Sequence, residues 1–438
     1  MSADTTPAPK AATPGFRYLL GQRDFRLIWF AQVAAQLADK FLMFSLIILA
    51  YHVSNADTAV AVTLLAYTVP AVAVSPLAGV FADRHNRKVI MVVTNLARAA
   101  LVSLIPLAAL VPALRNDFLH LLVITFAFAA VGQLFSPAEA AAIPSVIKRE
   151  SLMTANSLVM STMMLTFVLG GALAPIVSRF SLYAPYWIAV GLFLVAGFLI
   201  WFAHIRSPNG KDRHVERHPF MKLALDLKEG WATLHRSPVV LFSFCQVTLA
   251  VLVMFMLFTL APGYVSHVLG VTAEDTYIIL VPATIGCIAS AGLLGFVGRR
   301  LSPWALVTTT LALTGLTLFA LTAVPTALRQ VPGLDGSARW VGTGFALLLG
   351  IEFGALMIPP LSYLMEHTTD EVRGRVFALL FTVVNGVTAI PVLLAAALSD
   401  LLGTSHVIAS FGVLLALMAI GAGSVGGRVF PAARPDDP

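Results

Sequence analysis

The sequence predicts an all-α membrane protein with twelve transmembrane helices arranged as two pseudo-symmetric six-helix bundles. Three observations carry that expectation. Apolar residues make up 58% of the chain and charged residues 11%, whereas soluble domains run at about half and about a quarter. Twelve apolar segments are long enough to cross hydrocarbon, which takes roughly 20 residues. Lys and Arg collect in alternate connections between those segments, the pattern expected of a chain threaded back and forth across a bilayer.

In order, the predicted spans are Leu27–Tyr51, Thr58–Val80, Val89–Val111, Phe118–Ala142, Leu152–Ile176, Leu182–Ala203, Val239–Val265, Tyr277–Val297, Pro303–Val324, Trp340–Leu364, Val376–Leu398 and Ser405–Gly426. The end of the fourth is crowded by Pro137, Glu139 and Pro144. With the N-terminus inside, 22 of the 28 Lys and Arg residues face the cytoplasm. That excess places both termini in the cytoplasm and the protein in the inner (plasma) membrane. No apolar signal peptide opens the chain, because residues 1–13 are polar and rich in Pro and Ala. The predicted units are a cytoplasmic tail (1–25), a first bundle (26–203), a cytoplasmic linker (204–238), a second bundle (239–426) and a second tail (427–438). Within the linker, Asp212–His235 alternates Phe220, Leu223, Leu225, Leu227 and Trp231 with charges, so it suits a helix lying on the membrane surface. Its first part suits a solvated linker equally.

The net charge of +6 follows from the basic cytoplasmic connections and implies no nucleic-acid partner. Cys245 and Cys287 stand alone among apolar residues, and no His or Cys spacing suggests a metal. No cofactor motif or phosphate-binding loop occurs, which argues against an enzyme and against ATP-driven transport.

Charges inside spans are few, and each is expensive enough to be a candidate for function. Asp39 and Lys40 lie in the middle of the first span, on a polar stripe with Gln32 and Gln36. Adjacent helical residues point about 100° apart, so Asp39 and Lys40 are expected to pair poorly with each other, and Asp39 to find a partner on another helix. Arg98 in the third span pairs with Asp39 or Glu139, or snorkels. Glu352 lies at the midpoint of the tenth span between Gly350 and Gly354, a spacing that lets a neighbouring backbone approach. Asp39, Lys40, Arg98 and Glu352 are the candidates for ion coupling or gating, with proton or sodium as the ion. A structural ion pair for Asp39 and a hydrogen-bonding packing role for Glu352 are the alternatives. Glu139 belongs near the inner mouth or faces the loop.

Between the second and third spans, Gly79–Met91 reads G-V-F-A-D-R-H-N-R-K-V-I-M. This resembles the loop signature G-x-L-A-D-R-x-G-R-[KR] of the major facilitator superfamily, through Gly79, Ala82, Asp83, Arg84, Arg87 and Lys88. Phe81 replaces a leucine. Asn86 replaces the second glycine, as the residue that best tolerates a left-handed backbone. The resemblance implies the major facilitator fold and a conformational latch at Gly79, Asp83, Arg84, Arg87 and Lys88, docking at Arg373–Val376. Gly295–Arg300 echoes the loop in the second half. Phe135–Ala138 and Arg373–Phe377 look like the drug-exporter branch that includes macrolide and enterobactin exporters. Gln32–Leu49 is similar to the first helix of bacterial lysophospholipid transporters. Gly170–Pro175 partly resembles the antiporter motif, with Ala174 in place of a glycine.

In that family, spans one, four, seven and ten line the cavity. Here the implied cavity is greasy, with Gln36, Phe126, Gln133, Gln246, Met254 and Met357 as candidate substrate contacts; the alternative is that many of them only pack. The expected function is a proton-coupled, monomeric secondary transporter exporting hydrophobic or amphipathic small molecules by alternating access. A lysophospholipid transporter is the second reading, and a non-transporting receptor or assembly protein the third.

Overall fold

The computed structural model describes residues 16–115, 117–205, 219–297, 303–366, 368, 376–377, 379–380, 382–384, 386 and 388–429. These residues are helical almost throughout, and no strand occurs among them. Eleven of the described helices are long and apolar enough to cross a membrane. The remaining span is the second, which is split into Asp57–Ala73 and Ser75–Arg84. Pro70 sits in the upper piece and Pro76 at the start of the lower one. Neither supplies a backbone N–H to the ladder, so the helix breaks at Val74.

The first and third spans are Arg23–Ser54 and Arg87–Ala108. The fourth runs as Phe118–Gly132 and Phe135–Val146, so it continues past Ala142 and bends ahead of Pro137. Leu152–Phe180 and Ala184–Phe202 complete the first half. A linker helix follows over Pro219–Arg236, and the predicted start at Asp212 lies outside the described residues. The seventh span is Pro238–Gly263, extended by a π-helical turn at Tyr264–Leu269. Tyr277–Val297, Pro303–Arg329, Asp335–Glu366 and Thr404–Val429 are spans eight, nine, ten and twelve. The eleventh is a continuous helix over Ala389–Leu402. The first tail up to residue 15, linker residues 206–218, the end of the Gly295–Arg300 echo, Arg373–Arg375 of the expected docking point and the tail from residue 430 lie outside the described residues, as does the side chain of Asp83.

Pairing between spans repeats with an offset of six. Spans one and five, two and four, and three and six pack together; so do seven and eleven, eight and ten, and nine and twelve. Two similar six-helix units give that repetition. The halves meet where span two packs on spans seven and eleven, and span five on span eight. Large apolar side chains such as Phe198, Trp201, Leu401 and Ile420 point outward, as expected where the surrounding solvent is lipid. The first span has the opposite character. Nearly all of Phe41–Tyr51 is buried, because spans two, five, six and seven surround it.

Close backbone approach replaces the hydrophobic effect as glue between helices in lipid. The G-x-x-x-G pair around Glu352 serves that purpose. A Cβ on Gly350 would sit 1.9 Å from the Ala283 carbonyl oxygen, and one on Gly354 would sit 2.5 Å from Ser290 Cβ. The Ala283 carbonyl is backbone and Ser290 Cβ is fixed to it, so neither can yield without moving span eight. Gly350→Leu is therefore expected to part spans eight and ten, at a cost above the roughly 1–3 kcal/mol of ordinary overpacking. Size-exclusion profiles of the detergent-extracted protein check this; a wild-type peak with unchanged thermal stability would contradict it.

Candidate functional site

The polar stripe on the first span turns inward. Asp39 accepts a hydrogen bond from the hydroxyl of Tyr67 on span two at 2.5 Å, and its other oxygen is paired with Arg98 on span three. Lys40 Nζ also lies 3.2 Å from Asp39 Oδ2. The expectation that these neighbours pair poorly is thereby corrected. The Cα–Cβ bonds diverge, but the lysine stem is long enough to fold its ammonium back over the carboxylate. Arg98 is held on both faces, with its guanidinium 4.3 Å from the Phe128 ring centre and 4.4 Å from that of Phe193. Planar guanidinium groups favour such stacking, and it leaves their edge for the carboxylate. Gly132 lies 3.5 Å from the guanidinium by its virtual Cβ, just above the bend in span four. Lys40 packs against span five, where a Cβ on Gly170 would lie 2.3 Å from Lys40 Cβ, so this glycine sets the contact between spans one and five. Gln36 accepts from Thr166 Oγ1 at 3.1 Å on that same span.

Glu352 is buried and accepts from Thr317 Oγ1 of span nine at 2.7 Å. Its second oxygen makes no hydrogen bond among the described residues. Glu352 thus sits between spans nine and ten, and neither it nor Asp39 lines the apolar cavity where the halves meet.

That cavity, of about 130 Å³, is lined by the second half and by Phe44, Phe167 and Val168 of the first. Phe44, Phe167 and Phe258 form an aromatic cluster across the two halves, with ring centres 5.3–6.4 Å apart. Thr284, Cys287 and Thr314 are the polar side chains along a wall otherwise made of apolar residues, apart from the Tyr264 hydroxyl. That hydroxyl donates to the Leu321 carbonyl at 2.9 Å. Of the candidate substrate contacts, Met254 lines this cavity. Gln36, Phe126, Gln133, Gln246 and Met357 do not. Phe126 points outward, Gln133 Nε2 contacts the Ala129 carbonyl at 3.4 Å, and Gln246 is buried elsewhere in span seven.

At the end of the bundle away from the termini, polar contacts join the halves. Asp400, at the end of span eleven, accepts the backbone N–H of Asp57 at 2.7 Å and of Thr58 at 3.0 Å, together with the Thr58 hydroxyl. It thereby caps the start of span two from the other half. Asp57 reciprocates, accepting from Ser399 Oγ at 2.5 Å and Thr404 Oγ1 at 3.0 Å. Around this core, Arg179 Nε meets Asp275 Oδ1 at 2.7 Å and His52 Nδ1 meets Glu274 Oε1 at 2.6 Å. The halves are closed together at this end.

At the other end lies the loop with the charge cluster. Asn86 has φ −67° and ψ 114°, an extended conformation, and its side chain accepts from the N–H groups of Lys88 and Val89 at 3.0 and 3.4 Å. The left-handed turn expected there is absent; Asn86 stands in the loop as the cap of span three, a task suited to its side-chain oxygen. Arg87 donates to the Ala141 carbonyl at 2.8 Å, tying the loop to span four, and Lys88 lies 5.8 Å over the Trp201 ring.

Sequence reasoning did not find Tyr67, the Phe128–Phe193 clamp or the Asp57–Asp400 exchange. The acidic residues that open span two and close span eleven were visible, but nothing along the chain indicated that they meet.

A helical bundle of two repeated halves, with buried ion pairs and a central apolar cavity, is the architecture of membrane transport proteins. The Major Facilitator Superfamily model matches residues 28–391, and the chain belongs to that family. The chain is 22% identical over 411 residues to an uncharacterized MFS-type transporter, YvqJ, of Bacillus subtilis strain 168, covering 91% of this chain and 92% of that one. It is 22% identical over 399 residues to macrolide efflux protein A of Streptococcus pyogenes, covering 90% and 94%. Among solved structures, the nucleoside transporter NupG superposes with a TM-score of 0.67 at 11% identity, over 91% of this chain and 98% of that one. A bacterial homolog of the human lysosomal transporter Spinster, inward-facing and unoccupied, gives 0.64 at 13% identity, over 92% and 97%. The two structural likenesses establish the fold.

Proposed function

We propose that this chain is a proton-coupled exporter of uncharged hydrophobic or amphipathic small molecules, working by alternating access. The observation that carries the substrate class is the cavity. Among the described residues, its wall holds no Asp, Glu, Lys or Arg. A phosphate headgroup would need Lys, Arg or a helix N-terminus, and a cationic dye would need a carboxylate. A neutral molecule with an apolar body needs the aromatic faces and the few hydroxyl groups that the wall offers. The volume of about 130 Å³ is below the roughly 300–1,000 Å³ of drug-sized sites, so the cavity would widen as the halves part. The similarity to macrolide efflux protein A supports the export direction.

In this reading the working units keep the limits 26–203 and 239–426, joined by the linker 204–238 and flanked by tails 1–25 and 427–438. The end bearing the termini faces the cytoplasm, so the closed end is external and the protein is poised to open inward. The Gly79, Asp83, Arg84, Arg87 and Lys88 loop is the latch that closes the cytoplasmic side in the opposite state. Asp39, clasped by Arg98 and Lys40, is the gating pair. Glu352 lies about 20 Å along its helix from Arg339, the basic residue of that span, and serves as the proton carrier. The protein acts as a monomer.

Vesicles loaded through an imposed pH gradient test this. Glu352→Gln is expected to abolish gradient-driven accumulation while leaving exchange at equal pH in place. Full gradient-driven transport by that variant would return Glu352 to a packing role. Phe258→Ala removes one of the three rings shared by the halves and is expected to raise KM several-fold for bulky substrates with little change for small ones.

A further inference from the structure

We propose that Gln32, Asn95 and Glu139 enclose a hydrated chamber inside the first bundle, open to the cytoplasmic side, in which Glu139 is the group that holds the proton before its release to the cytoplasm. All three are at least nine-tenths buried, with exposures of 1%, 0% and 9%. Both side-chain polar atoms of Gln32, Asn95 Oδ1 and Glu139 Oε1 make no hydrogen bond among the described residues. Leaving one such group unsatisfied costs roughly 1–3 kcal/mol, and more for a carboxylate. Four orphaned atoms on three helices are accounted for if water fills the space between them, since buried water binds where two to four polar partners converge.

Helical register puts the three at one depth. At 1.5 Å per residue, Gln32 lies about 13 Å along span one from Arg23, Asn95 about 12 Å along span three from Arg87, and Glu139 about 10 Å from the end of span four at Val146. The lower piece of span four packs against both other spans, and Arg87 pins it through the Ala141 carbonyl. Gln32 is seven residues before Asp39, and Asn95 three before Arg98. Each therefore shares a helix face with one member of the ion pair and lies nearer the terminal end. The bend after Gly132 separates the Glu139 segment from the upper part of span four, which carries the Phe128 clamp.

Among the described residues, the charged groups facing this segment from the elements packed on it are Arg87 and Arg98 on span three and Asp39 on span one, with Arg84 at the end of span two. Arg87 is engaged by Ala141 and Arg98 by Asp39. Among the described residues no ion pair holds Glu139 charged, whereas Asp39 has two. In the cycle, Asp39 takes a proton from external water while the outer end is open. Once that end is closed, Asp39 passes the proton through chamber water to the Glu139 carboxylate and returns to its charged form, and Glu139 releases it to cytoplasmic water as hydronium. Arg98 keeps its own protons throughout. This transfer gives Asp39 a coupling role in addition to its place in the proposed gating pair; the hydration of the chamber does not depend on it.

Infrared spectra of the full-chain protein in lipid test the inference without a substrate. At a pH where Glu139 carries its proton, a protonated-carboxyl band is expected that disappears in Glu139→Gln and shifts on transfer to D2O as fast as solvent can be exchanged. Should Glu139→Gln fail to fold, Glu139→Asp serves, because it moves the band instead of deleting it. Replacing Gln32 and Asn95 together by leucine should slow the D2O shift several-fold. A Glu139 band that resists D2O in the wild-type protein would overturn the proposal, as would exchange unaffected by the double substitution. Rapid exchange combined with normal gradient-driven transport by Asp39→Asn would uphold the chamber and refute the coupling role of Asp39.

Discussion

Arg98→Leu is expected to abolish transport and to destabilise the protein by about 3–5 kcal/mol, the cost of removing one partner from a buried ion pair. The guanidinium is enclosed by two rings and faces a carboxylate that also holds Lys40 and Tyr67. Removing it leaves Asp39 in low dielectric with Lys40 as its remaining cation, and leaves a void between Phe128 and Phe193. Arg98→Lys should fold better than Arg98→Leu and still transport poorly, because an ammonium neither stacks on two rings nor presents a fork. Asp39→Asn should unfold less easily than Arg98→Leu, since Arg98 keeps both aromatic faces. Thermal unfolding in detergent, read beside vesicle transport, separates these outcomes. Equal stability of wild type and Arg98→Leu would show that the pair is not the keystone of the first bundle.

Asp400→Ala should open the end away from the termini. Asp400 accepts three hydrogen bonds from the start of span two, and Asp57 accepts two in return from the other half. A hydrogen bond to a charged group contributes about 1.5–3 kcal/mol, and each 1.4 kcal/mol moves a two-state equilibrium about tenfold. The population open on that side should therefore rise at least about tenfold. A cysteine placed at Ala283 on the cavity wall, in a chain with its native cysteines removed, would report this through its reaction with an impermeant maleimide added from that side. An unchanged rate would mean that the exchange between Asp57 and Asp400 is ornament on an interface held by packing.

The architecture was legible because hydrocarbon leaves so few options. A span must be long, apolar and helical, and charges must lie at its ends, so composition and periodicity alone located the helices. The eighth span is helical throughout its predicted range, Tyr277–Val297. Breaks inside spans were harder to place. Pro137 and Glu139 were read as crowding the end of span four, yet the bend falls earlier, at Gln133 and Leu134, and the helix then continues to Val146. Asp39, Arg98 and Glu352 stood out because charges in lipid are costly. Their partners did not, since Tyr67, Phe128 and Thr317 are unremarkable residue types in apolar runs. Cavity lining was the least legible feature. Which face of span one or span seven turns toward the cavity depends on how the halves lean on each other, and periodicity within one helix carries no such information.

The central claim is gradient-driven export of neutral, largely apolar molecules. Inverted membrane vesicles holding the protein, given an acidic interior, test it most directly when neutral macrolide-like compounds, lysophospholipids and cationic dyes are compared under pH and sodium gradients. The account predicts that the neutral compound accumulates, that a protonophore stops it, that a sodium gradient does not replace the proton gradient, and that Glu352→Gln vesicles fail to accumulate it. Lysophospholipid movement that proceeds equally with and without a gradient, in vesicles where the neutral compound is not moved, would contradict it.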